Sequence, residues 1–250
     1  FYGVGNDSSK EDKTRFGYFP TSFDFAAAYH PVRFVTAGGS AEYLQTSSDG
    51  PGKLADVTPG AGTDPLYIVP GAFASFDWRQ GPGYSNSGGL YRAEWRMYKQ
   101  HGEGDLYSFH WFEGEVSQFI PILRANQVIA LDALTTISDT DADKIVPFYM
   151  MPRLGGSHYL RGFPSSRFRD RDRLYLSAEY RWTPSKFLDV ALYYEAGKVA
   201  SRTADLDFTD LHDDFGIGFR FHSPKATMLR IEVAHSNEAT RFIFTVGPAF

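Results

Sequence analysis

The sequence predicts an all-β fold, an antiparallel transmembrane β-barrel of the outer-membrane type. Three observations carry that expectation. Long segments alternate strictly between apolar and polar residues, and aromatic side chains gather near their ends. Short turns at one end of the expected strands contrast with long loops at the other.

Alternation is clearest in RLYLSAEYRW. Leu174, Leu176, Ala178, Tyr180 and Trp182 fall on one side, and Arg173, Tyr175, Ser177, Glu179 and Arg181 on the other. Successive side chains of a strand face opposite sides, so the even positions form an apolar face. KFLDVALYYEAGKV sets Leu188, Val190, Leu192 and Tyr194 against Asp189, Ala191, Tyr193 and Glu195. FGIGFRF, LRIEVA and LYRAEWRMY repeat the pattern, and helical spacing is nowhere convincing. A half-buried soluble sheet also alternates. These strands, however, reach about ten residues or more, enough to cross a bilayer at a tilt, where soluble strands average about five or six. Tyr180, Trp182, Trp78, Phe119 and Phe250 are expected to supply the interfacial girdles.

Eleven strands are expected, at 15–30, 33–46, 66–79, 89–100, 104–120, 123–137, 172–183, 186–199, 213–223, 226–236 and 240–250. The connections at 31–32, 121–122, 184–185 and 224–225 are very short and each carries a proline. Those at 47–65, 138–171 and 200–212 are long and rich in Gly, Pro, Asp and Ser. The connection 80–88 is longer than its side predicts, and 101–103 and 237–239 are shorter. Outer-membrane barrels keep long loops outside and short turns in the periplasm. Parity then puts the C-terminus in the periplasm and residues 1–14 outside. Bacterial single-chain barrels have even strand numbers and start in the periplasm. An odd count starting outside therefore predicts one barrel domain over 1–250 whose N-terminal strands are missing.

Composition narrows the function classes. A net charge of -5 gives no reason to expect a nucleic-acid partner. The absence of cysteine excludes a disulfide framework and thiolate metal sites. No apolar run is long enough for a transmembrane helix. The sequence starts at Phe1 without a signal peptide, which reads as a processed chain or a fragment. No metalloprotease, Walker or nucleophile-elbow motif is present. Gly155 and Ser157 begin such an elbow, but Tyr159 stands where its second glycine belongs. Asp139, Asp141 and Asp143 open like a calcium loop, yet Lys144 and Met150 replace its Gly and Glu. No enzymatic activity, cofactor or metal is expected. Arg167, Arg169, Asp170, Arg171 and Asp172 read as a solvated, self-paired charge cluster.

LGGSHYLRGFPSSRFRDRDRLYLSAEYRW resembles the BamA/TamA-type outer-membrane assembly barrels of the bacterial surface antigen family. The sixth external loop of that family carries a [VIL]-R-G-[FY] motif, matched by Leu160, Arg161, Gly162 and Phe163, and five strands follow it there as here. FYGVGNDSSKEDKT resembles the family's Tyr-Gly-x-Gly-Asn loop. FDWRQGPGYSNSGG is similar to its Asp-x-Arg…Gly periplasmic turn, without the usual Pro-Thr. FGIGFRFHSPKATMLRIEVA is similar to the Gly-x-Gly-x-Arg…Ser-Pro…Leu-Arg pattern near its C-terminus. Family barrels have sixteen strands, so eleven would leave five absent, an odd number as parity requires.

The resemblance implies that the long loop folds into the barrel, where Arg161 pairs with Glu195 on the second strand after it. A guanidinium inside a barrel needs a partner, and its fixed fork suits a carboxylate. Gly162 would let the loop turn tightly against the wall, and Phe163 would fill the lumen. The resemblance also implies that the terminal strand, with Phe242, Phe244 and Phe250, is an assembly signal and one side of a seam. The function implied is insertion or export of proteins through that lateral seam. Its partners would be the lipid bilayer and unfolded outer-membrane or secreted clients. The residues themselves leave open a passive pore or a membrane anchor of a larger fused protein, such as a lipase-linked one.

Overall fold

The computed structural model describes residues 1–50, 52, 58–81, 83–102, 104–122, 126–223 and 226–250. Its strands are β1 (Thr21–Val32), β2 (Val35–Gln45), β3 (Leu66–Asp77), β4 (Gly88–His101), β5 (Phe109–Ile122), β6 (Gln127–Asp139), β7 (Arg153–Leu154), β8 (Phe168–Arg169), β9 (Asp172–Ser185), β10 (Leu188–Ala200), β11 (His212–His222), β12 (Thr227–Ser236) and β13 (Thr240–Thr245). Eleven of them form one antiparallel sheet in chain order, with β6 pairing directly to β9. β7 and β8 make a separate two-stranded hairpin inside the intervening loop. Among the described residues neither β1 nor β13 has a second neighbour, so the sheet is open.

Alternation sets the two faces. In β9, Tyr175 and Glu179 are each 1% exposed while Trp182 is 44% exposed. In β10 and β11, Leu192, Tyr194, Phe215, Ile217 and Phe219 all stand on the open, apolar side. The polar side is concave and covered, because the chain between β6 and β9 folds back over it. Leu154, Leu160, Phe163 and Phe168 of that segment pack on Leu134, Tyr175 and Val199 of the wall. Val146, Phe148, Tyr149 and Met151 form a second cluster with Phe109, Phe1 and Phe16. Each such side chain taken from water contributes about 1.5–3 kcal/mol, which favours the folded-in loop over a solvated one.

Several boundaries differ from the sequence expectation. Residues 15–20 do not join β1; Tyr18 makes an isolated bridge with Ser48 instead. β5 starts at Phe109 because Asp105 and Ser108 close a turn ahead of it. Pro31, Pro121 and Pro184 lie in the last residues of β1, β5 and β9, ahead of the turns. The expected turn at 224–225 and the first residues of the expected strand 123–137 lie outside the described residues.

β13 stops at Thr245: Gly247 sits at φ +84° and Pro248 supplies no N–H, so the ladder cannot run on to Phe250. Phe119 is not a girdle residue either. It is 1% exposed, since the open face of β5 is its even side, carrying Phe112, Val116 and Ile120.

The charge cluster after the motif is not solvated. Arg167, Arg169, Asp170 and Asp172 are all buried. Their partners are mostly distant in sequence. Arg167 pairs with Glu238 at 2.8 Å. Asp172 accepts from the Ser138 N–H at 2.9 Å and from the Thr203 hydroxyl at 2.8 Å. These partners come from β6, the β10–β11 loop and the β12–β13 turn, all distant from the cluster in sequence.

Candidate functional site

Loop geometry brings the LRGF residues to the wall. Gly155 and Gly156, at φ +98° and +139°, open the bend beyond the β7–β8 hairpin. The Gly155 N–H donates to the Tyr159 carbonyl at 2.9 Å. Leu160 holds φ +50°, a left-handed conformation that costs a non-glycine residue about 1–2 kcal/mol. Its fully buried side chain anchors the bend in the core, and its carbonyl accepts the Phe163 N–H at 3.0 Å. That bend turns Arg161 toward the concave face.

Arg161 is 1% exposed and meets three carboxylates. Its Nε donates to Glu195 Oε1 at 2.9 Å, Nη1 to Glu232 Oε1 at 2.9 Å, and Nη2 to Glu179 Oε1 at 3.0 Å. The main-chain N–H of Arg161 donates to Glu195 Oε2 at 2.7 Å. The guanidinium carbon lies 3.5 Å from the centroid of the Tyr193 ring, a cation–π contact. Burial works against this charge, and Glu195, Glu179 and Glu232 overcome it, so the Arg161 pKa stands well above its ordinary value. The Tyr175 hydroxyl also donates to Glu195 Oε1.

The wall surrounding this contact is charge-balanced by further arginines. Arg220 donates to Glu179 at 2.6 Å and Arg181 to the other oxygen of Glu179 at 2.9 Å. Arg230 reaches Glu232 at 3.4 Å. Gly162 donates its N–H to Asp214 at 3.0 Å and its carbonyl accepts from Ser236 at 3.0 Å. Arg241 of β13 donates to the carbonyls of Arg161 at 2.9 Å and Gly156 at 3.1 Å, and also to that of Phe163. Glycines in β11 make room for this layer. A Cβ on Gly216 would lie 2.3 Å from the Tyr193 hydroxyl, and one on Gly218 would lie 2.8 Å from Glu232 Cγ.

The structure therefore brings Leu160, Arg161, Gly162, Phe163 and Glu195 together. Phe242 and Phe244 stand apart from them, 72% and 69% exposed on the open face of β13. Phe250 turns inward after Gly247, its ring centroid 5.8 Å from that of Phe119. The Arg181 guanidinium lies over both rings, at 5.2 and 5.1 Å, and so connects the tail to Glu179. The YGVGN segment docks on the loop base. Gly5 N–H donates to the Arg169 carbonyl at 2.8 Å, and Asn6 accepts from Val199 N–H at 3.1 Å. In the FDWRQG turn, Asp77 and Arg79 pair through both oxygens, at 3.0 and 2.9 Å.

Sequence reasoning missed Glu179, Glu232 and Asp214 as partners of the loop. Their face was readable, because each lies on the polar parity of its strand. Stagger between strands, which decides that Glu179 sits opposite Tyr193 and Glu232 opposite Gly218, was not.

An Omp85 superfamily domain profile matches residues 75–250, more than half of the chain. The chain belongs to the Omp85 superfamily. It is a bacterial outer-membrane β-barrel chain. Among solved structures, the Omp85 fold here is similar to BamA from Haemophilus ducreyi lacking POTRA domains 1–3. The TM-score is 0.73 at 15% identity over 97% of this chain and 56% of that one. It is also similar to CdiB from Acinetobacter baumannii, with a TM-score of 0.57 at 10% identity over 98% of this chain and 45% of that one. The chain thus spans about half the length of these two proteins. A comparison with curated proteins gives no match.

Proposed function

We propose that this Omp85 barrel inserts or exports proteins through a lateral seam bordered by β13, with the LRGF loop latched inside the lumen by Arg161. The observation that carries the reading is the state of β13. It is only six residues long, and Gly247 turns the following tail away from the ladder. A six-residue strand has few backbone groups to hold the strand that closes the barrel, so a client strand can take that place by β-augmentation. In lipid those groups need a partner, since each unsatisfied one costs several kcal/mol (roughly). The Arg161 cluster supports the latch role, because it spans β9, β10 and β12 and keeps the loop seated while the edge beyond them works. A filled concave face speaks against a passive pore. The clients this chemistry suits are unfolded outer-membrane or secreted polypeptides. No enzymatic step is required of the barrel.

The test uses the full-length protein in proteoliposomes with a urea-unfolded outer-membrane barrel as client, followed by the heat-modifiable gel shift of the folded client. Faster client folding than in empty vesicles is expected, with a disulfide from a β13 cysteine such as Thr245→Cys to the client's edge strand. A client that folds at the empty-vesicle rate and forms no such disulfide leaves the anchor reading standing.

A further inference from the structure

We infer that the β3–β4 turn is a strap that closes the turn-side mouth of the concave face, buckled by Tyr84 onto the ends of β9–β12. This goes beyond the function proposed above and holds equally for an assembly barrel or a membrane anchor.

The turn is longer than its neighbours, and its extra residues do not stay beside β3 and β4. The Gly83 carbonyl accepts the Thr227 N–H at 2.8 Å, and Gly83 forms a parallel bridge with Ala226 at the start of β12. The Tyr84 ring lies flat on the His222 ring of β11, 3.8 Å between centroids and 12° between planes. Its hydroxyl donates to Asp189 of β10 at 3.0 Å, and Thr183 of β9 donates to the same oxygen at 2.7 Å. Arg181 of β9 reaches the Ser85 carbonyl at 3.5 Å.

In the sheet, β5, β6, β9, β10 and β11 separate β4 from β12. A contact between the β3–β4 turn and β12 therefore crosses the mouth instead of following the wall. Through the Arg181–Ser85 contact the strap adjoins the cluster of Phe250, Phe119 and Arg181. The strap itself turns tightly, with Gly81 at φ +82° and the Tyr84 N–H donating to the Gly81 carbonyl at 2.9 Å. One ring stack and a few hydrogen bonds make a hold that local opening can release while the ladder stays intact. The geometry therefore describes a closed but releasable strap.

Thiol labelling of the full-length protein in outer-membrane vesicles tests this. Ser117, fully buried on the concave face of β5, becomes the reporter as Ser117→Cys, since residues 1–250 hold no cysteine, with any cysteine elsewhere in the full-length protein changed to serine. Lys186→Cys, in the exposed β9–β10 turn, reports reagent access. A membrane-impermeant maleimide supplied on the turn side should label Ser117→Cys slowly. Adding Tyr84→Ala should raise that rate several-fold, and His222→Ala, which removes the other half of the stack, should do the same. The Lys186→Cys rate should not move. Unchanged Ser117→Cys labelling in both variants, each with its heat-modifiable barrel intact, would overturn the strap. In a separate variant, Gly83→Cys with Ala226→Cys should form a disulfide on oxidation, since bridge partners lie at suitable separation. Failure of that pair to cross-link would equally overturn it.

Discussion

One carboxylate, that of Glu195, holds both the main chain and the side chain of Arg161. Oε2 takes the Arg161 N–H at 2.7 Å and Oε1 takes Nε at 2.9 Å. The remaining two arms of the guanidinium diverge to Glu232 and Glu179. A flat group with fixed, divergent donors suits this arrangement, and a single ammonium does not.

Arg161→Ala should therefore cost about 3–5 kcal/mol, because it strands the buried Glu195 carboxylate, whose one ion-pair partner among the described residues is Arg161. Arg161→Lys should recover little of that loss although it keeps the charge. The measurement is loop cleavage by protease on intact outer membranes, in a double-mutant cycle with Glu195→Gln. Strong coupling between the two changes is expected, and additive effects would show that the pair contributes nothing of its own.

Gly162 is constrained by space. A Cβ there would fall 2.7 Å from Asp214 Cβ, 2.9 Å from Ser236 Cβ and 3.1 Å from the His235 carbonyl carbon. None of these three atoms is the far end of a flexible side chain that can swing away. Gly162→Ala should destabilise the seated loop by about 1–3 kcal/mol, as overpacking does. Urea titration of loop protection reads this directly, and a loop as resistant as the parent's would contradict it.

Two buried arginines in the same loop should behave in opposite ways. Arg169 is 2% exposed, donates to the Phe148 carbonyl at 2.6 Å and lies among the rings of Phe1, Phe16 and Phe148. Burial, then repulsion from Arg153, pushes its pKa down to about 10. Among the described residues no carboxylate lies within ion-pair reach of it. Arg169→Met thus strands no opposite charge, and should cost less than about 1.5 kcal/mol, in the range of volume-conserving apolar exchanges. A loss in the same assay as large as that of Arg161→Ala would show that the aromatic cage depends on the cation.

What the sequence could express follows from periodicity. Two-residue alternation places Glu179, Glu195, Arg220 and Glu232 on the polar face without any knowledge of the fold, and long apolar strands mark the bilayer. The family motif added the pairing of Arg161 with Glu195. Neither source carries interstrand stagger, so the other two carboxylates around Arg161 were not legible. Charge runs were misread for a related reason. Arg167 and Asp172 look solvated within one run of charges, but the loop folds inward and their partners, Glu238 and Ser138, come from distant segments. A single glycine, Gly247, ended β13 early, and only its neighbourhood with Pro248 hinted at it.

The two faces of the sheet give the last prediction. Leu192 is 52% exposed on the open face of β10 and lies opposite Tyr180 and Ile217, so its surroundings in the membrane are lipid. Leu192→Arg should destabilise the barrel by about 2–4 kcal/mol if the position is near the midplane depth. The control must be an arginine of equal size on the concave side. Ser177 fails as that control, since at 5% exposure it has no room for a guanidinium. Ser40 suits it, because it lines a 360 Å³ concave cavity with Asp24, Glu42, Glu94 and Arg96, where three carboxylates face one guanidinium and a second cation can be balanced. Ser40→Arg should therefore cost far less than Leu192→Arg in urea unfolding of the full-length protein in vesicles. Equal costs for the two substitutions would mean that the apolar face does not meet lipid, and the transmembrane assignment of these strands would fall with it.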